Sequence, residues 1–157
     1  MADLNASKPS TCVIGCGNAT RGDDGVGPYV IAALAPRVPP AVTLCDAGSN
    51  GMEVIYRARG AERLILIDAL ASDETPGALY ELPGTECAQA APPLYSLHAF
   101  RWEHALAAAR QLYGEDFLAR TTVYLIGAES LDYRTELSAP VRAAADRLVE
   151  RLTTALA

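Results

Sequence analysis

Arg63-Leu64-Ile65-Leu66-Ile67-Asp68 (RLILID) is an apolar run opened by a cation and closed by a carboxylate. It does not alternate, so both of its faces must be covered, as in the central strand of a parallel sheet with helices on either side. Working outward, Thr11 to Ile14 (TCVI), Ala41 to Cys45 (AVTLC), Ala78 to Leu82 (ALYEL) and Thr121 to Ile126 (TTVYLI) read as further strands. Helical stretches separate them, from about Pro28 to Ala35, Met52 to Ala58 and about Ala99 to Tyr113, the last stopped by Gly114. A final helix, capped by Ser138, runs to about Leu156 with Val141, Ala145, Leu148, Leu152 and Leu156 as its apolar stripe. ALYEL follows a Pro76-Gly77 turn and alternates like an edge strand, which predicts one hairpin between the third and fourth strands. The order predicts an α/β fold of three layers, α/β/α, with a mostly parallel twisted sheet of about five strands. Residues 1–10 read as a loose tail and 11–157 as a single domain.

Half of the 157 residues are hydrophobic and 20% are charged, a globular balance. The net charge is −6 and Lys8 is the only lysine, so the surface repels phosphate backbones and nucleic acid is excluded as a general partner. Cys12, Cys16, Cys45 and Cys87 follow neither a zinc-site spacing nor a secreted disulfide pattern. The opening MADLNASKPS lacks the layout of a signal peptide, and the apolar runs are strand-length, too short for a membrane span. The expected setting is the reducing cytoplasm, with free thiols and no membrane association.

In open parallel sheets ligands bind outside the carboxyl ends of the strands, here just after Ile14, Cys45, Ile67 and Ile126. Asp23, Asp24, Asp46, Asp68 and Glu129 fall there. A carboxylate ending an apolar strand, as Asp68 does, needs a helix terminus, a cation or a metal, or it caps the next turn. Asp23 and Asp24 precede a helix, where the dipole favours acids. Two adjacent carboxylates repel, and a shared cation would relieve them. Of two histidines, His98 sits between loop and helix, where it can project into a cleft. His104, six positions on, faces nearly the opposite side of the helix and reads as structural. Two carboxylates and an imidazole suit nickel, zinc or a similar divalent ion, held weakly, or a metal already bound to a partner.

Gly15-Cys16-Gly17-Asn18-Ala19-Thr20-Arg21-Gly22-Asp23-Asp24-Gly25-Val26-Gly27 resembles the N-terminal signature of the hydrogenase maturation endopeptidases. Asp46 to Glu53 (DAGSNGME) resembles their second motif and Arg63 to Ala69 (RLILIDA) their third, while His98 falls where the family places its histidine. The resemblance covers about residues 11 to 156. It implies a mostly parallel five-stranded sheet and a protease that removes the C-terminal extension of the nickel–iron hydrogenase large-subunit precursor after nickel insertion. The nickel, carried by the substrate, is the recognition signal, and no tightly bound cofactor is expected. The nickel-contacting and catalytic positions correspond to Asp24, Asp68 and His98. Asp23 is expected to orient the attacking water or, as the preferred reading, to cap the helix after it, Gly17 and Gly25 to let the backbone approach the substrate tail, and the protein to act as a monomer. Ser-Leu-His-Ala-Phe-Arg-Trp around His98 and Ala128-Glu129-Ser130 depart from the family pattern in loops expected to touch substrate.

Other classes fit less well. A dinucleotide-binding oxidoreductase needs G-x-G-x-x-G, but here the glycine after Gly17 comes two residues late and two acids follow, which would repel a pyrophosphate. Peptidyl-tRNA hydrolases share the Gly-Asn loop but need a basic surface. A cysteine protease built on Cys16 and His98 is outweighed by Cys16 as a small residue between glycines. A nickel-sensing chaperone that holds the precursor without cutting it would use the same ligands and is separated only by activity.

Overall fold

The computed structural model describes residues 10–71, 74–89 and 101–157. Strand β1 (Thr11–Cys16) leads through a 3-10 turn (Gly22–Gly25) into α1 (Val26–Leu34), β2 (Val42–Gly48), α2 (Gly51–Ala58) and β3 (Arg63–Leu70). Then follow β4 (Leu79–Pro83), α3 (Gly84–Gln89), α4 (Trp102–Tyr113), α5 (Glu115–Ala119), β5 (Thr121–Gly127) and α6 (Ala139–Leu156). The strands form one sheet in the order β2-β1-β3-β5-β4, parallel except for the antiparallel pair β4–β5.

The expected three-layer α/β fold is therefore present, and the apolar run RLILID is its central strand. Residues 64 to 67 are all buried, because alternate side chains serve two different cores. Leu64 and Leu66 join Cys12, Ile14, Val123 and Leu125 beneath α2, α3, α4 and α5. Ile65 and Ile67 join Val13, Tyr124 and Ile126 beneath α1 and α6, where the whole predicted stripe of α6 is buried. The same two-residue period puts Asp68 on the side of Leu66, under α4.

One expectation fails. The third and fourth strands make no hairpin, because β5 lies between them and β4 pairs with β5, Leu82 opposite Val123. β5 is apolar on both faces and takes the inner place; β4, with Tyr80 and Glu81 exposed, tolerates the edge. Several ends also move. α1 begins at Val26, two residues before Pro28, and β2 and β3 extend past Asp46 and Asp68 to Gly48 and Leu70. α4 begins at Trp102; the expected start at Ala99 lies outside the described residues. No helix among the described residues is long and apolar enough to cross a membrane.

Candidate active site

β2 and β3 flank β1, and α1 and α2 go to opposite faces of the sheet, so the chain parts at the carboxyl ends of these three strands and leaves a crevice. A cavity of about 270 Å³ lies there. Its walls are Cys16 and Gly17 from the end of β1, Asp24 from the 3-10 turn, the 48–51 turn after β2, Asp68 of β3, and Arg101 with Trp102 at the start of α4.

The loop after β1 is shaped by backbone contacts. Gly17 has φ +123, and a Cβ there would stand 1.9 Å from the Asp24 carbonyl oxygen. Its N–H donates to the Gly48 carbonyl at 2.8 Å, tying β1 to the end of β2. Asp24 accepts the Asn18 N–H at 2.8 Å and is thereby aimed across the loop. A Cβ on Gly25 would meet Ala19 Cα at 3.0 Å. Gly17 and Gly25 are thus required by contacts within the chain itself, whatever the substrate tail does.

Asp68 is 4% exposed. Its Oδ1 accepts the Ala69 N–H at 2.8 Å and its Oδ2 the Trp102 indole N–H at 2.7 Å. Arg101 places Nη2 3.7 Å from the same Oδ2. Burial pushes the Asp68 carboxyl up to about 7; the Asp24 charge adds to this, and the two hydrogen bonds and Arg101 oppose it. Burial likewise holds the Cys16 thiol well above its ordinary value, with Asp68 and Glu103 adding to it. A thiol kept protonated in this way is a poor nucleophile, so the geometry speaks against a cysteine protease at Cys16.

Asp23 is not the helix cap that its position predicts. It is fully buried, and no side chain caps either the 3-10 turn or α1. Its carboxylate accepts the Ser138 N–H (2.7 Å) and Oγ–H (2.8 Å) and the N–H groups of Glu129 (2.8 Å) and Ser130 (3.1 Å). Desolvation raises its pKa, but these hydrogen bonds outweigh it and hold the carboxyl below its ordinary value. Asp23 therefore ties the loop after β1 to the loop after β5 and to the start of α6. Ser138 occupies the N-cap position of α6, yet it gives its hydroxyl to Asp23 rather than capping with it.

Of the strand-end acids, only Asp24 and Asp68 reach the cavity. Asp46 is exposed and accepts the Gly48 N–H of its own turn at 2.9 Å; Glu129 is exposed, and it is its backbone that Asp23 holds. His104 lies in the first turn of α4, where its Nδ1 accepts the Arg101 N–H at 3.0 Å, the structural role its register predicts. His98 lies outside the described residues. Among the described residues no three His, Cys, Asp or Glu side chains converge to hold a metal. Sequence reasoning missed Arg101 and Trp102 as neighbours of Asp68. The available signal was the chain's single tryptophan at the start of a helix close behind His98.

The family model for hydrogenase maturation proteases matches residues 28–155. Over 147 residues the chain is 28% identical to the hydrogenase 2 maturation protease of Escherichia coli, covering 92% of this chain and 88% of that protein. It is 31% identical over 148 residues to the hydrogenase expression/formation protein HupM of Azotobacter chroococcum, spanning 89% of this chain and 68% of the relative. The solved structure of the hydrogenase maturating endopeptidase HybD from E. coli aligns with a TM-score of 0.77 at 28% identity, over 93% of this chain and 91% of that one. HycI of Thermococcus kodakarensis, at 18% identity and a TM-score of 0.73 over 98% and 96% of the two chains, shares the fold.

Proposed function

The chain belongs to the hydrogenase maturation protease family, a family of peptide hydrolases, and from that premise we propose that it trims the C-terminal extension of a nickel–iron hydrogenase large-subunit precursor once nickel is in place. The observation that carries the proposal is the pair Asp24 and Asp68, brought from the 3-10 turn and from β3 into one crevice at the switch point of the sheet. Oxygen donors at such a place suit a divalent ion presented by a partner, and two of them grip it too weakly to keep it. His98, which the family resemblance groups with them, is proposed as the third contact. In this reading Asp24, Asp68 and His98 grip the nickel of the precursor, so a precursor without nickel is not engaged. Gripped there, the ion polarises the scissile carbonyl or the attacking water. No cofactor resident in the enzyme is needed. The partner is the precursor, and the setting proposed is the cytoplasm, with the protein acting as a monomer.

The test mixes candidate large-subunit precursors, with and without nickel, with the protein or its Asp24→Asn variant and follows shortening on a gel. Shortening of the nickel-loaded precursor alone, slowed at least about 100-fold by Asp24→Asn, is the expected result. Cleavage of the nickel-free precursor at the same rate would sink the recognition role of the metal.

A further inference from the structure

Asp68 carries a feature that its placement at a strand end does not require. Its two carboxylate oxygens are each held by a different N–H donor: Oδ1 by Ala69, Oδ2 by the indole of Trp102. Two donors on opposite oxygens fix rotation of the carboxylate about its Cβ–Cγ bond, and each oxygen keeps a second lone pair. We propose that Trp102 is a positioning residue for Asp68, its indole N–H holding the carboxylate so that an oxygen faces a metal ion in the cavity. The proposal rests on the reading that Asp68 contacts the nickel of the precursor.

The geometry distinguishes this role from packing. Trp102 and Asp68 both line the cavity. Gly17, which also lines the cavity, carries no side chain; a Cβ there would come to 3.4 Å from Oδ1, so the missing methyl leaves that oxygen approachable. The indole itself is held firmly. Trp102 is 6% exposed within the apolar cluster under α4 and is the first residue of that helix. The Arg101 N–H to His104 Nδ1 bond just before it fixes where the helix starts. Arg101 is the contrast. Its guanidinium lies 3.7 Å from the same Oδ2, but its side chain is more than half exposed, so it is a cation that can swing aside when a metal arrives. The indole cannot, and it is neutral, so it orients the carboxylate without competing for its charge. Groups that orient a ligand in this way are commonly worth 10–100-fold in metal affinity or activity.

The test needs a variant that loses the N–H and keeps the ring. Trp102 replaced by β-(3-benzothienyl)alanine does so; Trp102→Phe is the simpler second variant. Processing of nickel-loaded precursor is measured for both beside Asp68→Asn, with melting temperatures. Because the chain has one tryptophan, its indole N–H gives a single resonance, which reports the bond to Asp68 directly. The expected result is a 10–100-fold loss of kcat/KM in the benzothienyl protein, with the indole resonance of Asp68→Asn clearly displaced. The melting temperature of the benzothienyl protein falls by no more than about 2–8 °C, the cost of one hydrogen bond to a buried carboxylate. Wild-type kcat/KM in the benzothienyl protein, or an indole resonance unmoved by Asp68→Asn, would overturn the positioning role. Normal processing by Asp68→Asn would instead overturn the reading of Asp68 as a nickel contact, and the inference with it.

Discussion

Asp23 and Asp24 stand side by side in the sequence and do different work. Asp24 faces the cavity, while Asp23 is turned into the protein, where it is met by four donors from residues 106 to 115 positions away. The sequence shows that two acids are paired there, but no local pattern can show which one the distant chain will claim. Asp68 was legible for a different reason: a carboxylate at the end of an apolar strand must find partners nearby. Its donor Trp102, 34 positions on, was not legible. For Asp23 the consequence is energetic. An amide there offers one acceptor oxygen to donors that the carboxylate meets with two, so Asp23→Asn leaves buried N–H groups unpaired, at about 2–4 kcal/mol. The sign with pH is fixed by the lowered pKa. The stabilisation from ionised Asp23 is present above its ordinary value of 3.8 and is lost as pH falls through the lower folded value. Urea unfolding should therefore show a large deficit for Asp23→Asn at pH 7 that narrows toward pH 2. A deficit independent of pH would mean that the carboxylate charge does not matter.

At the scale of elements, the sheet and its helices were readable because each has its own period, and pairing was not. The alternation of β4 marks it as an edge strand but does not say whose edge, since the choice lies between β3 and a strand still forty residues ahead in the chain. The close seat of α1 on the sheet was equally hidden. Gly27 in the first turn of α1 faces backbone on two strands. A Cβ there would stand 2.3 Å from the Cys16 carbonyl oxygen and 2.8 Å from that of Ile67. The helix can approach so closely only without a side chain at that point, and the approach sets where Asp24, two residues before the helix, enters the cavity. Gly27→Ala gains roughly 1 kcal/mol of helix propensity but forces α1 off the sheet, for a net loss of about 2 kcal/mol or more. Gly60, with φ +79 and nothing within 4 Å of its Cβ position, is the control; alanine there costs only the left-handed backbone, about 1 kcal/mol. Thermal unfolding should rank Gly27→Ala below Gly60→Ala, and processing should fall only in the former. Equal losses would mean that α1 repacks freely.

For the whole molecule, the same strand-end rule that located the crevice from sequence also says what the crevice does to stability. Open parallel sheets bind their ligands at such switch points, and here a carboxylate is held there in a buried place with only partial compensation. Because Asp68 titrates at about 7 when folded and near 3.8 when unfolded, the native state binds more protons between those values. Stability therefore falls as pH rises through that window, by an amount on the order of 4 kcal/mol, since each pKa unit is worth about 1.4. The contribution is fully present below pH 4 and gone above about 7. Asp23 works in the opposite sense at lower pH, so between them these two acids favour mildly acid over neutral conditions. Asp68→Asn removes one of these slopes. It also leaves one of two donors, Ala69 N–H or the Trp102 indole, facing an amide NH₂, a fixed cost of about 1 kcal/mol that does not change with pH. The difference in melting temperature between variant and wild type should accordingly move in the variant's favour from pH 5 to pH 8. A divalent ion that binds ionised Asp68 supplies the missing compensation, so Ni²⁺ at pH 8, in large enough excess to load so weak a site, should stabilise the wild type and not the variant. A variant-to-wild-type difference that stays constant across this range would mean that Asp68 is ionised throughout, and that the crevice is wetter than its 4% exposure implies.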